Sequence, residues 1–500
     1  MSATLLDTVH CTAPLVPAVE IDLDLIRRFD QHGPRYTSYP TADRFVESFD
    51  AAAYESWLAR RNVGAVRRPL ELYIHMPFCS TLCFYCGCNK IITRDKSKGV
   101  EYLEYLNEEI ALQVNGLGED TRVAHMHWGG GTPNFFSLEQ VGELMQQLRG
   151  HFDFAAQGEY SIEIDPRAVD GAYIAGLREA GFNRLSIGVQ DFDPDVQRAV
   201  HRIQSEAQTL EIIRAARTTG FHSINIDLIY GLPKQSLVSF ERTLERVIAA
   251  GADRIAVYNY AHLPALFTPQ RRIQEADLPA PETRLKLLAL AIRRLSAAGY
   301  QYIGMDHFAK IDDAMAMAQR QGRLHRNFQG YSTHGNCDLL ALGVSAIGNV
   351  GPTYSQNYRT LQDYYDSLDR NMLPVMRGIE LSADDLVRRA VIGALMCHFT
   401  LAKESLTTAY LIDFDEYFKT ELEDLSEFEE LGLVELDDTA INVTHKGRLL
   451  VRNIAMVFDR YFRQDRERRR YSRADMNAVL EVALTAALSA AWPTAFTCAA

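Results

Sequence analysis

No run of eighteen apolar residues occurs in this 500-residue chain, which argues against a membrane-spanning helix. No basic segment followed by an apolar core opens it, so a secretory leader is not expected. Cysteine is scarce, eight in all, and Cys11, Cys337, Cys397 and Cys498 are scattered, so no disulfide framework is indicated. Reduced thiols in the cytoplasm are the expectation. Positive charge is also in deficit. The formal net charge of −13 opposes non-specific attraction to nucleic acid or to anionic lipid, so an anionic substrate would need locally placed Arg or Lys. What remains is ordinary globular composition, 47 % hydrophobic and 23 % charged, in a chain long enough for more than one domain.

Between Arg68 and Gly304, short β-branched or aromatic runs alternate with helical ones. Strands are expected near 71–77, 122–128, 159–165, 184–190, 222–229, 254–260 and 300–305, separated by helices such as "KGVEYLEYLNEEIALQV" and "PETRLKLLALAIRRLSAAG". This is a βα series with a parallel sheet, hence an α/β fold of open or closed barrel type. Side chains alternate across a strand, and here the alternation sorts chemistry. Ser161, Glu163 and Asp165 share one face against Ile162 and Ile164; Ser186, Gly188 and Gln190 oppose Leu185, Ile187 and Val189; Asn225 and Asp227 oppose Ile224, Ile226 and Leu228. Helices cover the outer face of such strands, so the polar rows are expected to line a cavity that holds a polar ligand. The expected division is an N-terminal arm over 1–67, a barrel with lid loops over 68–360, and a smaller, mainly helical, winged-helix-like domain over 361–475. A tail of unknown role follows over 476–500. Residues 306–360 read as a glycine-rich lid, and "KGRLLVRNIAMVFDRYF" as one helix. Asp and Glu dominate 404–438, which excludes a DNA-binding role for the last domain.

The segment "FCSTLCFYCGC" gathers four thiols just after the first strand, at the barrel's C-terminal mouth. Cys79, Cys83 and Cys86 follow C-x3-C-x2-C, and Cys88 adds C-x-C. Three thiolates on one loop can hold three irons of a [4Fe–4S] cube and leave the fourth open to another ligand. A structural zinc site using all four cysteines is the alternative, although zinc usually takes paired hooks separated in sequence. The three-cysteine loop resembles the radical S-adenosylmethionine (SAM) superfamily, with Tyr85 at its aromatic position. "GGGTP" at 129–133 ends the next strand, where glycines let backbone N–H groups approach a ligand closely.

Longer strings narrow the resemblance. "GPRYTSYPTA", "CGCNKIITR", "HWGGGTP", "EIDPR", "GFNRLSIGVQDF", "NIDLIYGLPKQ", "GMDHFA" and "HRNFQGY", spread over about residues 20–473, resemble the oxygen-independent coproporphyrinogen III oxidase family. The resemblance implies an open (βα)6-type partial TIM barrel and the oxidative decarboxylation of two propionates of coproporphyrinogen III to vinyls, giving protoporphyrinogen IX. It implies a [4Fe–4S] cluster on Cys79, Cys83 and Cys86, with Cys88 a non-ligand near the reaction, and two molecules of SAM. The first SAM would meet Tyr73, Gly130, Glu163 and Ile347. The second would meet Tyr85, Gly131, Thr132, Gln190, Arg202, Asp227 and Ala261. Tyr73, Glu163, Cys88, Phe328 and Gln329 would bound the reaction. The expected partners are an external one-electron donor such as a reduced flavodoxin or ferredoxin, and an electron acceptor of unknown identity, serving a monomeric enzyme. Arg35, Tyr36 and Tyr39 of the arm are expected to close over the tetracarboxylate substrate. A haem-binding chaperone built on the same barrel is the rival, but such relatives lack the "GPRYTSYPTA" arm and "CGCNK", both present here.

Overall fold

The computed structural model describes residues 19–29, 33–61, 67–335 and 337–471, so the expected tail over 476–500 and the first part of the arm lie outside the described residues. Six strands, β1 (Leu70–Met76), β2 (Arg122–Gly130), β3 (Asp153–Ile164), β4 (Arg184–Gln190), β5 (Ser223–Tyr230) and β6 (Arg254–Asn259), pair in parallel and in chain order. Helices fill every gap between them, among them Ser97–Leu117, Leu138–His151, Glu206–Thr218 and Leu237–Ala249. Their starts are written locally. Ser137 with Gln140, and Ser236 with Ser239, form reciprocal capping boxes that satisfy the first free N–H groups. Leu72, Ile74, Met126, Trp128, Ile162, Leu185, Ile187, Ile224 and Ile226 are at most 1 % exposed. Burying such side chains contributes roughly 1.5–3 kcal/mol each, which fixes the strand register and turns the polar alternates inward.

The sheet departs from the expected repeat at both ends. β7 (Tyr300–Gly304) is a strand, but β8 (His307–Lys310) takes the place beside β6 and runs antiparallel to both neighbours. Gly304 and Met305, at φ 140° and 51°, reverse the chain there. Residues 306–360 are not an irregular loop. They form a hairpin of β9 (His325–Asn327) and β10 (Gly330–Ser332), then β11 (Asp338–Leu342), β12 (Ile347–Val350) and β13 (Thr353–Asn357). β11 lies parallel to β1 on its other side, and β12, β13 and β14 (Val375–Glu380) continue antiparallel. The glycines misled the sequence reading because they punctuate strands: Gly343 and Gly351, at φ 97° and 55°, turn the chain between buried runs. The result is one open twelve-stranded sheet ordered β14-β13-β12-β11-β1-β2-β3-β4-β5-β6-β8-β7. The expected division at residue 360 falls inside it.

After Glu380 come helix Ala383–His398, a three-stranded antiparallel sheet (Thr400–Ala402, Val434–Leu436, Ala440–Val443) and short helices. The helix expected in "KGRLLVRNIAMVFDRYF" is two, Val451–Met456 and Arg460–Tyr471, and the break frees Asp459 to serve the arm. The Tyr36 hydroxyl donates to Asp459 Oδ2 at 2.9 Å, and the Arg460 N–H donates to Tyr39 Oη at 3.2 Å. Both tyrosines are buried and tie the arm to the last helix, and both line a cavity with Arg326 and Asn327. Among the described residues, no helix is long and apolar enough to cross a membrane.

Candidate active site at the barrel mouth

The cysteine loop leaves the end of β1 and is pinned on all sides. A two-residue ladder pairs Phe78–Cys79 with Ile91–Ile92, and the Gly131 N–H donates to the Met76 carbonyl at 2.8 Å. A Cβ on Gly131 would lie 2.6 Å from the Pro77 carbonyl oxygen, so only glycine lets the "GGGTP" turn sit against the loop. The buried amide of Gln270 donates to the carbonyls of Tyr85 at 3.1 Å and Ala261 at 3.2 Å, tying the loop to the exit of β6. Cys79 Sγ lies 3.2 Å from Thr132 Oγ1. Cys83 Sγ receives Arg202 Nη1 at 3.6 Å and Arg167 Nη2 at 3.8 Å. Lys90 Nζ donates to the carbonyls of Cys86 at 3.1 Å and Cys88 at 3.3 Å.

Three thiols ringed by two guanidiniums and an ammonium fit an anionic iron–sulfur group. The Cys88 thiol, hydrogen-bonded to Cys86, leads in lowering the Cys86 pKa to about 6, and Lys90 adds to it against the opposing effect of burial. Cys88 is pushed up by the same contact, and burial raises Cys79 to about 11. Among the described residues, no three His, Cys, Asp or Glu side chains converge as a single ion would require.

Below the loop, the inward rows enclose a polar cavity. Ser161, Glu163, Ser186, Asn225 and Asp227 all line it, as their alternation predicted. Glu163 Oε2 accepts the Gly130 N–H at 3.3 Å, and its Oε1 lies 3.2 Å from His127 Nε2. The His127 ring stacks on Tyr73 with centroids 6.0 Å apart, and Tyr73 Oη meets His75 Nδ1 at 3.0 Å. Burial alone would raise Glu163, but the His127 contact, the Gly130 N–H and His75 outweigh it and hold the carboxylate below its usual range. Asp227 goes the other way. Burial, and then the like charge of Glu163, lift it to about 6 against hydrogen bonds from Ser186 Oγ at 3.0 Å and Asn225 Nδ2 at 2.9 Å. Arg202 also donates to the Gly188 carbonyl at 2.7 Å. Burial opposes its charge, yet Tyr85, Asp165 and Cys83 keep it firmly protonated.

The open side of the barrel is closed by the β9–β10 hairpin. Asn327 Nδ2 donates to Glu71 Oε2 on β1 at 3.0 Å, while the Tyr331 ring stands edge-on to His307 of β8 at 5.3 Å.

A comparison with known proteins then decides the family. Residues 73–247 match the family model described as the Radical SAM superfamily, and residues 381–450 match the HemN C-terminal domain. The oxygen-independent coproporphyrinogen III oxidase of Pseudomonas aeruginosa is 50 % identical over 461 residues, covering 92 % of this chain and 100 % of that protein. This chain belongs to the oxygen-independent coproporphyrinogen III oxidase family. The Escherichia coli oxidase of that name is 48 % identical over 92 % of this chain and 99 % of its own length. A solved structure of coproporphyrinogen III oxidase (HemN) from Escherichia coli, titled as a radical SAM enzyme, superposes with a TM-score of 0.85 at 47 % identity, covering 89 % of this chain and 100 % of that one. As a member of this oxidase family, the chain is a radical SAM enzyme, and the family's [4Fe–4S] cluster and SAM are its cofactors.

Within this oxidase fold, the residues named from sequence fall into three groups. Cys79, Cys83, Cys86, Tyr85, Thr132 and Arg202 meet on one loop neighbourhood; Glu163 and Asp227 line the cavity, with Gly130 bonded to Glu163 and Tyr73 stacked on His127. Gln190 ends β4 at φ 66°. Ile347 and Phe328 instead join an apolar group with Phe45 of the arm and Tyr354, while Gln329 lines the cavity. Sequence reasoning missed His127, His75, Arg167 and the buried Glu71–His125 pair at 2.8 Å. His127 and Arg167 lay inside the quoted strings "HWGGGTP" and "EIDPR", so the signal was present and unused.

Proposed function

We propose that this chain removes two propionate carboxyls from coproporphyrinogen III, leaving vinyls and yielding protoporphyrinogen IX for haem biosynthesis without oxygen. The full-length 50 % identity to an oxidase of this name carries the reading. Cys79, Cys83 and Cys86 would hold the cluster, with Arg167, Arg202 and Lys90 compensating its charge. When bound, the cluster would supply the electron for reductive cleavage of SAM and so the radical chemistry that takes hydrogen from the propionate β-carbon. Loss of CO2 and of one further electron to an acceptor then leaves each vinyl.

The protein's own part is to bind, orient and exclude. Glu163, held by Gly130 and His127, would accept hydrogen bonds from the SAM nearest the cluster, beside Tyr73 and Ile347. Arg202 offers a guanidinium and Asp227 a carboxylate to a second SAM, with Tyr85, Gly131, Thr132, Gln190 and Ala261 around it. Two SAM molecules per chain, a monomeric state, a cytoplasmic setting and a small reduced flavodoxin or ferredoxin as donor complete the proposal. Six free cysteines among the described residues support a reducing setting. The hairpin and helices keep water and stray C–H bonds from the radical.

An anaerobic assay with SAM, a reductant and coproporphyrinogen III tests this, following CO2 and vinyl products together. Two CO2 per protoporphyrinogen is the expected outcome; haem binding without decarboxylation would overturn it in favour of a carrier role.

A further inference from the structure

Two neighbouring cavities differ in character. Glu163 and Asp227 make the β3–β5 side of the first acidic. Beside it, at an adjoining cavity that Arg326 lines and that shares Glu71, Asn327 and Ser332 with the first, the arm and the hairpin bring two guanidiniums together. Arg326 on β9 donates its Nε–H to the Arg35 carbonyl at 3.4 Å, and its guanidinium carbon lies 4.7 Å over the Tyr331 ring. Arg35 is ion-paired with Asp306, whose neighbour His307 lines the first cavity. Three polar atoms here are buried without a partner: Arg326 Nη1, His307 Nδ1 and Gln329 Oε1. Orphaned buried groups cost roughly 1–3 kcal/mol each, so several gathered around Tyr331, between the two cavities, mark a place where a ligand completes the bonding. The His307 ring is held edge-on by Tyr258, with centroids 5.9 Å apart, and by Tyr331. Burial, with the nearby arginines Arg326, Arg35 and Arg254, lowers its pKa to about 3, so the ring stays neutral and adds no competing charge.

We propose that Arg326, assisted by Arg35 and by His307, forms the subsite for the carboxylates that coproporphyrinogen III keeps. This rests on the functional reading above and extends it to the substrate's orientation. The two propionates retained in the product are the ones that need a permanent counter-charge away from the reacting end. Arg326 supplies an unpaired N–H and a charge, and Arg35 can exchange Asp306 for a substrate carboxylate of the same chemistry. The acidic wall repels the retained propionates, so the macrocycle can enter in one sense only, with its other edge toward Glu163 and the cysteine loop.

The test uses anaerobic, cluster-loaded full-length enzyme, with coproporphyrinogen III and an analogue whose two retained propionates are primary amides. Wild type should show a KM about 10- to 100-fold higher for the amide, the range of one or two charge-assisted hydrogen bonds. Arg326→Gln should raise the KM for coproporphyrinogen III by a similar factor with kcat within about threefold, and should no longer distinguish the two compounds. Arg326→Lys should recover part of the loss, and the exposed-site control Arg323→Gln should match wild type. An unchanged KM in Arg326→Gln, or an amide penalty as large as in wild type, overturns the proposal. Should Arg326→Gln fail to fold, equal KM values for acid and amide in wild type still overturn it, and a wild-type penalty that Arg326→Lys reduces sustains it. Absence of any vinyl product from wild type would instead remove the functional reading.

Discussion

Glu163→Gln is the sharpest probe of the SAM site, because it keeps volume and removes one charge. The carboxylate accepts the Gly130 N–H at 3.3 Å on one oxygen and faces His127 Nε2 at 3.2 Å on the other. It is held below its usual pKa, so at neutral pH it is an anion available to a cationic ligand. Hydrogen bonds to charged groups are worth about 1.5–3 kcal/mol, and losing one such bond should weaken SAM roughly 10- to 150-fold. A second consequence reads out at a different residue. After burial, the Glu163 charge is the leading cause that lifts Asp227 to about 6, so its removal lets that pKa fall. Asp227 holds its proton more tightly when folded. Its stabilising contribution is therefore complete below the ordinary Asp range and is lost as pH rises through about 6. The loss should be smaller in Glu163→Gln. Chemical denaturation from pH 5 to 8 reads the stability change, and anaerobic 5′-deoxyadenosine formation against SAM concentration over the same range reads the KM. The wild-type KM should change near pH 6, and the variant's break should move to lower pH. An unaltered KM and an unmoved break, at equal iron content, would refute the assignment of Glu163 to SAM.

Further predictions follow from other contacts. Cys86→Ser should lose iron and the visible cluster absorbance on anaerobic reconstitution, whereas Cys88→Ser should retain both; the reverse pattern would make Cys88 a ligand. Arg61→Met leaves Asp120 and Asp338, each at most 7 % exposed, without their guanidinium, and should cost about 3–5 kcal/mol in chemical denaturation. Gly343→Ala places a Cβ 2.3 Å from Tyr102 Oη at φ 97° and should lower stability by about 2 kcal/mol or more, read as a reduced Tm.

The parallel strands and their inward polar rows were legible because period-two alternation is a local property, and Ser161, Glu163, Ser186, Asn225 and Asp227 reached the cavity as their faces required. The cysteine loop was legible for the same reason: its spacing lies within ten residues. What stayed hidden depends on contacts between distant parts of the chain. The hairpin that walls the cavity is three residues a strand, too short for a periodic signal, and its role comes from Asn327 meeting Glu71. The glycines of 330–351 read as looseness, although Gly330, Gly343 and Gly351 turn the chain at the ends of strands. The anchoring of Tyr36 and Tyr39 stayed hidden because nothing nearby in sequence revealed Asp459 and Arg460 as their partners.

The bond from Asn327 to Glu71 also sets an order of biogenesis. During synthesis the thiol loop leaves the ribosome some 240 residues before the hairpin that shields its cavity. The three proposed cluster ligands therefore exist for an interval before the wall does. Translation of residues 325–332 ends that interval, so slowing elongation just upstream should raise the fraction of newly made protein that carries metal.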